Sequence, residues 1–255
     1  MVISHKYKYL FVELPHTAST AIGAELCENY DGLKILRKHS TYYEFRRTAS
    51  AEEKKYFVFS GIRNPLDEAV SNYFKFKDNH KERYSDPLKK GKGIVTDEEI
   101  NLYNFVKSSD ADFYTFLNKA YRPPYDNWSC LSHKRFNFVI RFEHLQEDFS
   151  EVLRLMGIEQ KRPLPIRNKA SGRSSDYALY YIPEMYEDAK RIFGPFMKKW
   201  GYEFPIEWGE VSVSRLQQMQ FYILGVCRNL YWGYLKWSPH DSIHSFGESL
   251  KKLLS

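Results

Sequence analysis

The sequence predicts an α/β fold in three layers, a parallel sheet flanked by helices, with a P-loop-like nucleotide site. Three observations carry this expectation. Apolar runs with strand character at 7–14 (YKYLFVEL) and 56–62 (YFVFSGI) each lead through a tight polar turn into a helical segment. Strand, loop and helix in that order, repeated, is the pattern of parallel strands with helical crossovers. A third is length: 255 residues suffice for one α/β domain with a core that needs no disulfide or metal.

The elements follow in order. Residues 7–14 form a buried strand, 15–20 (PHTAST) a polar loop and 21–29 a helix. A second strand covers 33–36 and ends before Lys38-His39-Ser40-Thr41; 41–55 is helical. The strand at 56–62 stops at Arg63-Asn64-Pro65, and Pro65 opens a helix over 66–76, since proline is tolerated in a first turn. The charged stretch 77–92 reads as an exposed loop. Thr96 and Glu99 fit a capping box that starts a helix reaching Ser108. Residues 110–120 are helical, and 121–127, with Pro123-Pro124, form a loop. The run 136–142 (FNFVIRF) is a strand, followed by a helix over 146–156 that Gly157 stops. A basic loop at 163–175 precedes a helix over 183–200, which Pro195 is expected to kink. Two helices, 213–235 and 242–254, complete the chain. The division expected is a main domain over 1–205 with a helical tail, 206–255, packed on it. Leu216, Met219, Ile223, Val226 and Leu230 recur at helical spacing and form a face that calls for burial. The alternative for this face is peripheral membrane contact, with Trp232, Tyr234, Lys236 and Trp237 at the interface.

Composition excludes several classes. With 43% hydrophobic and 27% charged residues the chain is neither disordered nor fibrous. Three cysteines, Cys27, Cys130 and Cys227, exclude a disulfide framework and a Cys-rich zinc module. The 17% aromatic share reads as ring packing in the core rather than as sugar or base platforms. Lys and Arg number 38 against 32 Asp and Glu, so the net charge of +6 suits an anionic ligand. That charge is spread along the chain, and no nucleic acid is expected as partner. No uninterrupted apolar stretch reaches the ~18 residues of a transmembrane segment, since the nearest, 221–235, is broken by Arg228 and Asn229, and no secretory leader is visible, so a cytoplasmic protein is expected.

The loop at 15–20 lacks the glycines and the Lys-Ser/Thr ending of a Walker A loop. It offers the hydroxyls of Thr17, Ser19 and Thr20 beside the backbone N–H groups of a helix start, which bind phosphate. An ordinary Ser/Thr helix cap has the same composition. Arg63 and Ser71, eight residues apart, place a planar guanidinium at a strand end and a hydroxyl two turns into the next helix. Alone, Arg63 also reads as a surface ion-pair residue with Asp67 one turn on. His39 lies between the two phosphate-site candidates, and histidine is the commonest general base near neutral pH. Its alternative is a hydrogen bond to a neighbouring helix start.

Taken together, PHTAST, then HST, then VFSGIRNPLDEAVSNYF resemble the sulfotransferases that use 3′-phosphoadenosine 5′-phosphosulfate (PAPS). The likeness is to their carbohydrate branch, which includes the heparan-sulfate uronyl 2-O-sulfotransferases and bacterial relatives. FVIRFEHL at 138–145, the pair Asp148-Phe149, Asn168-Lys169-Ala170-Ser171 and the stretch 196–202 resemble later family features, so the likeness spans 7–205. It implies a sulfuryl transfer from PAPS, without metal, to a hydroxyl of a carbohydrate or glycolipid. It further implies that Pro15, Thr17, Ala18, Ser19 and Thr20 cradle the 5′-phosphosulfate, and that Arg63 and Ser71 hold the 3′-phosphate. Lys169, Ser171 and Arg173 then close over the nucleotide, and His39 is the base.

One position departs from the family. Its loop reads Pro-Lys-Thr, and the lysine neutralises the leaving group; here His16 takes that place. Either His16 is charged beside the phosphates and acts catalytically, or another cation substitutes, or the protein binds the nucleotide without efficient turnover. A P-loop-like kinase is the further alternative, but neither a Walker lysine nor a magnesium carboxylate is evident.

Overall fold

The computed structural model describes residues 1–91, 95–126, 135–165 and 173–235. In chain order the elements are β1 (Val2–Ser4), β2 (Tyr9–Val12), α1 (Ser19–Asn29), β3 (Leu33–Lys34), α2 (Tyr42–Thr48), β4 (Phe57–Ile62), α3 (Pro65–Lys77), α4 (Pro87–Gly91), α5 (Asp97–Ser108), α6 (Phe113–Ala120), β5 (Phe138–Arg141), α7 (Leu145–Leu155), α8 (Tyr186–Trp200) and α9 (Arg215–Leu230). The chain divides into two compact units. Among the described residues, one holds 1–64, 126, 135–165 and 224–235; the other holds 65–91, 95–125 and 173–223.

The first unit is built on a five-stranded sheet in the order β3-β1-β2-β4-β5. Strands β2, β4 and β5 are parallel, as the two strand-loop-helix repeats require, with Val12 opposite Ser60 and Ile62 opposite Arg141. The expectation of a wholly parallel sheet is corrected at the other edge. β1 runs antiparallel to both β2 and β3, so the sheet is mixed. β1 was not foreseen because three residues beside polar His5 and Lys6 give no strand-length apolar run. It is nonetheless fully buried, because it lies inside the sheet order.

Side chains alternate along each strand, so both faces need cover. Val2, Tyr9, Phe11, Phe59 and Ile140 face Ile22 and Leu26 of α1 and Phe149, Val152 and Leu153 of α7. On the opposite face Ile3, Leu10, Val12 and Val58 meet Tyr42 and Phe45 of α2. Helix, sheet and helix are the three layers foreseen. Burial on both faces explains why these strands read as continuous apolar runs instead of alternating ones. The end of the chain's described part also reaches α2: Tyr43 Oη donates to Asn229 Oδ1 at 2.8 Å, and Arg47 donates to the Trp232 carbonyl at 2.8 Å.

The second unit is helical, and its core is dominated by rings. Tyr73 packs against Phe113 and Phe116, Phe76 stacks on Tyr84 at 4.5 Å, and Tyr186 stacks on Trp208 at 4.5 Å. The capping box at α5 is complete, with Glu99 N donating to Thr96 Oγ1 and Thr96 N donating back to the Glu99 carboxylate. The stretch expected as a loop at 77–92 contains α4 and a 3₁₀ turn at His80–Glu82, a correction that Pro87 foreshadows as a first-turn residue. The helix expected over 41–55 is shorter. α2 ends at Thr48, and Ser50 starts a separate turn by accepting from Glu53 N. Pro195 lies inside α8. α9 buries Phe221, 1% exposed, whereas Leu216, Met219, Ile223, Val226 and Leu230 are 52–59% exposed. The helix expected at 242–254 lies outside the described residues. Among the described residues no helix is long and apolar enough to cross a membrane.

Candidate active site

The site grows out of the turn between β2 and α1. Thr17 Oγ1 donates to the Leu14 carbonyl at 3.1 Å and closes the turn. His16 (φ 63°) and Ala18 (φ 57°) adopt left-handed backbone conformations that residues other than glycine rarely take. Ala18 is the N-cap of α1, and its carbonyl accepts from Ala21 N and Ile22 N. No side chain caps the helix, and no acidic residue lies in its first turn. An ordinary Ser/Thr cap is therefore not what the loop forms. A left-handed residue followed by a helical turn aims successive backbone N–H groups into one concavity, an arrangement suited to an anion.

The loop rests directly on the sheet. Thr17 is buried over Gly61 of β4, where an added Cβ would lie 2.9 Å from Thr17 Cβ, its Oγ1 and its carbonyl oxygen. Only glycine admits that approach. Beside it, Ser60 Oγ donates to the Val12 carbonyl at 2.6 Å and ties the end of β2 to β4.

His39 comes to the same place from the segment after β3. Its Nδ1 lies 2.8 Å from the carbonyl oxygen of Glu13, the first residue beyond β2. A carbonyl only accepts, so Nδ1 carries the proton and the ring's lone pair is on Nε2. Burial pushes the imidazole pKa below its ordinary value, and the charge of Lys38 pushes the same way, against the opposing pull of the Glu13 carbonyl. The neutral form of His39 is favoured, as a base requires. Lys38 itself reaches α1, where Nζ donates to Thr20 Oγ1 at 2.8 Å.

Arg63 follows β4 directly and is 6% exposed. Its guanidinium lies over the Phe142 ring, 4.2 Å from the centroid, and Nη1 is 3.5 Å from the His16 carbonyl oxygen. The next residue is also fixed, as Asn64 N donates to Glu143 Oε1 at 2.6 Å. Pro15, His16, Thr17, Ala18, Ser19, Thr20, His39 and Arg63 thus all belong to the first unit, at the exits of β2 and β4 and after β3. Ser71 and Arg173 belong to the second. Ser71 is buried on α3, and Arg173 forms an ion pair with Asp67 at 2.6 Å, each side chain about one-tenth exposed. Lys169 and Ser171 lie outside the described residues. Of the basic stretch around them, Arg162 is committed elsewhere, bound to Glu25 at 2.7 Å and Glu28 at 3.0 Å.

Two residues in contact with the candidate site were not foreseen. Gly61 carried a signal, a glycine inside a strand. Lys38 carried none beyond its place before His39.

A family model described as the sulfotransferase family matches residues 1–180. No curated protein and no solved structure matches the chain at a significant level. The match takes in every site element of the first unit, from β2 to Phe142, and covers 180 of 255 residues: the chain belongs to the sulfotransferase family.

Proposed function

We propose that the chain moves the sulfuryl group of PAPS to a hydroxyl of a carbohydrate or glycolipid acceptor. Family membership makes it a transferase of sulfuryl groups; the donor and the acceptor class are the proposal. One observation carries it. An imidazole held neutral, with its lone pair on Nε2, is tied to the exit of the strand that feeds an uncapped helix start. A base and an anion cradle on one strand exit are the two parts an in-line transfer from a phosphosulfate needs.

In this reading His39 Nε2 takes the acceptor's proton as its oxygen attacks sulfur. The backbone N–H groups at Ala18, Ser19 and Thr20, with the Ser19 and Thr20 hydroxyls, hold the 5′-phosphosulfate beside Pro15, while the Thr17 hydroxyl, which donates to the Leu14 carbonyl, shapes the turn. Arg63 takes the 3′-phosphate, with Ser71 as its second donor. Lys169 and Ser171 close over the nucleotide, and so does Arg173 when it is shared with or released from Asp67. His16 stands beside the leaving group, where the family's lysine would be. Residues 1–205 carry this chemistry and 206–255 is an accessory tail. A second reading, a protein that binds the nucleotide without turnover, is favoured by His16 alone; a measured turnover with PAPS excludes it.

Arg63 gives the direct test of the donor. Arg63→Ala is expected to weaken binding of 3′-phosphoadenosine 5′-phosphate (PAP) by about 1.5–3 kcal/mol, the scale of a charged hydrogen bond. Adenosine 5′-phosphosulfate, which lacks the 3′-phosphate, should bind almost unchanged. Titration calorimetry with both nucleotides decides it, and equal losses remove Arg63 from the 3′-phosphate.

A further inference from the structure

We propose that Lys38, reaching over from the segment after β3, is the cation that neutralises the leaving phosphate in place of the lysine the loop lacks. The inference rests on the donor reading above and adds a catalytic residue to it.

The geometry is specific. Lys38 Nζ donates to the hydroxyl of Thr20, in the first turn of α1. Among the described residues no carboxylate lies within ion-pair distance of Lys38, and its partner there is a neutral oxygen. A helix N-terminus carries partial positive charge, so an ammonium at that end is of the wrong sign for the helix dipole. α1 has no acidic residue in its first turn to offset it. Lys34 lines the same small cleft, with Thr20 and Lys38, and adds a further positive charge. The Glu13 carboxylate in that cleft is engaged by the backbone nitrogen of Met1 at 2.9 Å. The Lys38 ammonium and the N–H donors of the α1 start repel one another across the Thr20 hydroxyl, with Lys34 in the same cleft. An anion seated between them relieves that repulsion.

The backbone fixes this placement. Leu36 and His39 both take left-handed conformations, at φ 54° and 67°. Consecutive side chains of one segment therefore engage two sides of the β2–α1 turn, His39 at the Glu13 carbonyl and Lys38 at Thr20. In the transfer the acceptor oxygen bonds to sulfur and the bond from sulfur to the bridging oxygen breaks. Its electron pair stays on the phosphate of the departing PAP, and the acceptor proton goes to His39 Nε2. Lys38 meets the charge that gathers on the phosphate. Its charge also favours neutral His39, so one side chain serves both ends of the reaction.

The test uses Lys38→Met, Lys38→Arg and the double variant Lys38→Met with His16→Lys, assayed at about pH 8, where His39 is neutral in all of them. Lys38→Met is expected to lower kcat by about 10²–10³-fold, as loss of one transition-state donor does, with a much smaller change in KM. An unchanged urea-unfolding midpoint reports that the fold persists. Lys38→Arg should keep part of the rate. The double variant, which restores the family's lysine in the loop, should recover most of it, a rescue that a merely structural lysine would not show. The acid limb of the rate profile should also move to higher pH in Lys38→Met, because a charge that depresses the His39 pKa is gone. If kcat in Lys38→Met stays within about threefold of the unaltered protein, or if the double variant is no faster than Lys38→Met, Lys38 is not the leaving-group cation. If the unaltered protein fails to bind PAP at all, the donor reading falls and this assignment falls with it.

Discussion

Replacing His39 with alanine is expected to lower turnover by roughly 10²–10⁴-fold, the usual contribution of a positioned general base. PAPS affinity should hold. In the proposed reading the donor is bound by the loop and by Arg63, and His39 is hydrogen-bonded to the Glu13 carbonyl ahead of that loop. His39→Asn sharpens the test, because an asparagine amide still donates to that carbonyl and keeps the segment in place without offering a base. Both variants should be slow. If asparagine restores the rate, His39 is a positioning residue. The pH dependence follows from the sign of the shift. Burial depresses the imidazole pKa, so the base is neutral at and above neutral pH and is lost only as pH falls through a value below the ordinary one. The acid limb of kcat/KM should therefore lie below about pH 6.5 and disappear in His39→Ala. An acid limb that persists in the alanine variant belongs to another group.

Gly61→Ala is expected to damage both stability and donor binding, far beyond what one methyl group does at most strand positions. The added Cβ would sit 2.9 Å from three atoms of Thr17, one of them a backbone oxygen that no rotamer change can withdraw. Either β4 shifts or the loop lifts. β4 is held on both sides by parallel neighbours, with Ser60 opposite Val12 and Gly61 opposite Ile140, so the loop is the part that yields. Overpacking of this kind costs about 1–3 kcal/mol. Lifting Thr17 also disperses the N–H groups it holds together, so PAP affinity should fall by more than tenfold. Urea unfolding and nucleotide titration of the same variant measure the two effects. An unchanged midpoint with unchanged affinity would mean that the loop does not rest on the strand.

The parallel half of the sheet was legible because both faces of β2 and β4 are buried, which leaves unbroken apolar runs between turn residues. The Thr96 cap and the Gly157 stop were legible because they are local chemistry, set by side chains within one turn. The antiparallel edge was not, since β1 and β3 have three and two residues, and long-range pairing alone makes them strands. The motif order singled out the loop, Arg63 and His39 as candidates. It could not show that His39 is fixed through a carbonyl 26 residues away, or that Lys38 reaches Thr20, because neither contact leaves a spacing in the sequence. Helical periodicity at 216–230 marked an apolar face, but the side that is buried is the one bearing Phe221. Periodicity identifies a face and carries no information about which neighbour meets it.

The left-handed residues of the two site segments bear on how this protein could be stabilised. His16, Ala18, Leu36 and His39 all hold a conformation that costs an L-residue roughly 1–2 kcal/mol each. Together that is several kcal/mol, a sizeable share of the ~5–15 kcal/mol that separates folded from unfolded chains. A search for stabilising substitutions would find glycine or asparagine at these positions early, because both accept the left-handed conformation readily. At 16 and 39 the change deletes the imidazoles. At 18 and 36 glycine keeps every functional group but frees the backbone that aims them. Selection for heat resistance and selection for turnover would therefore pull in opposite directions at the same few codons.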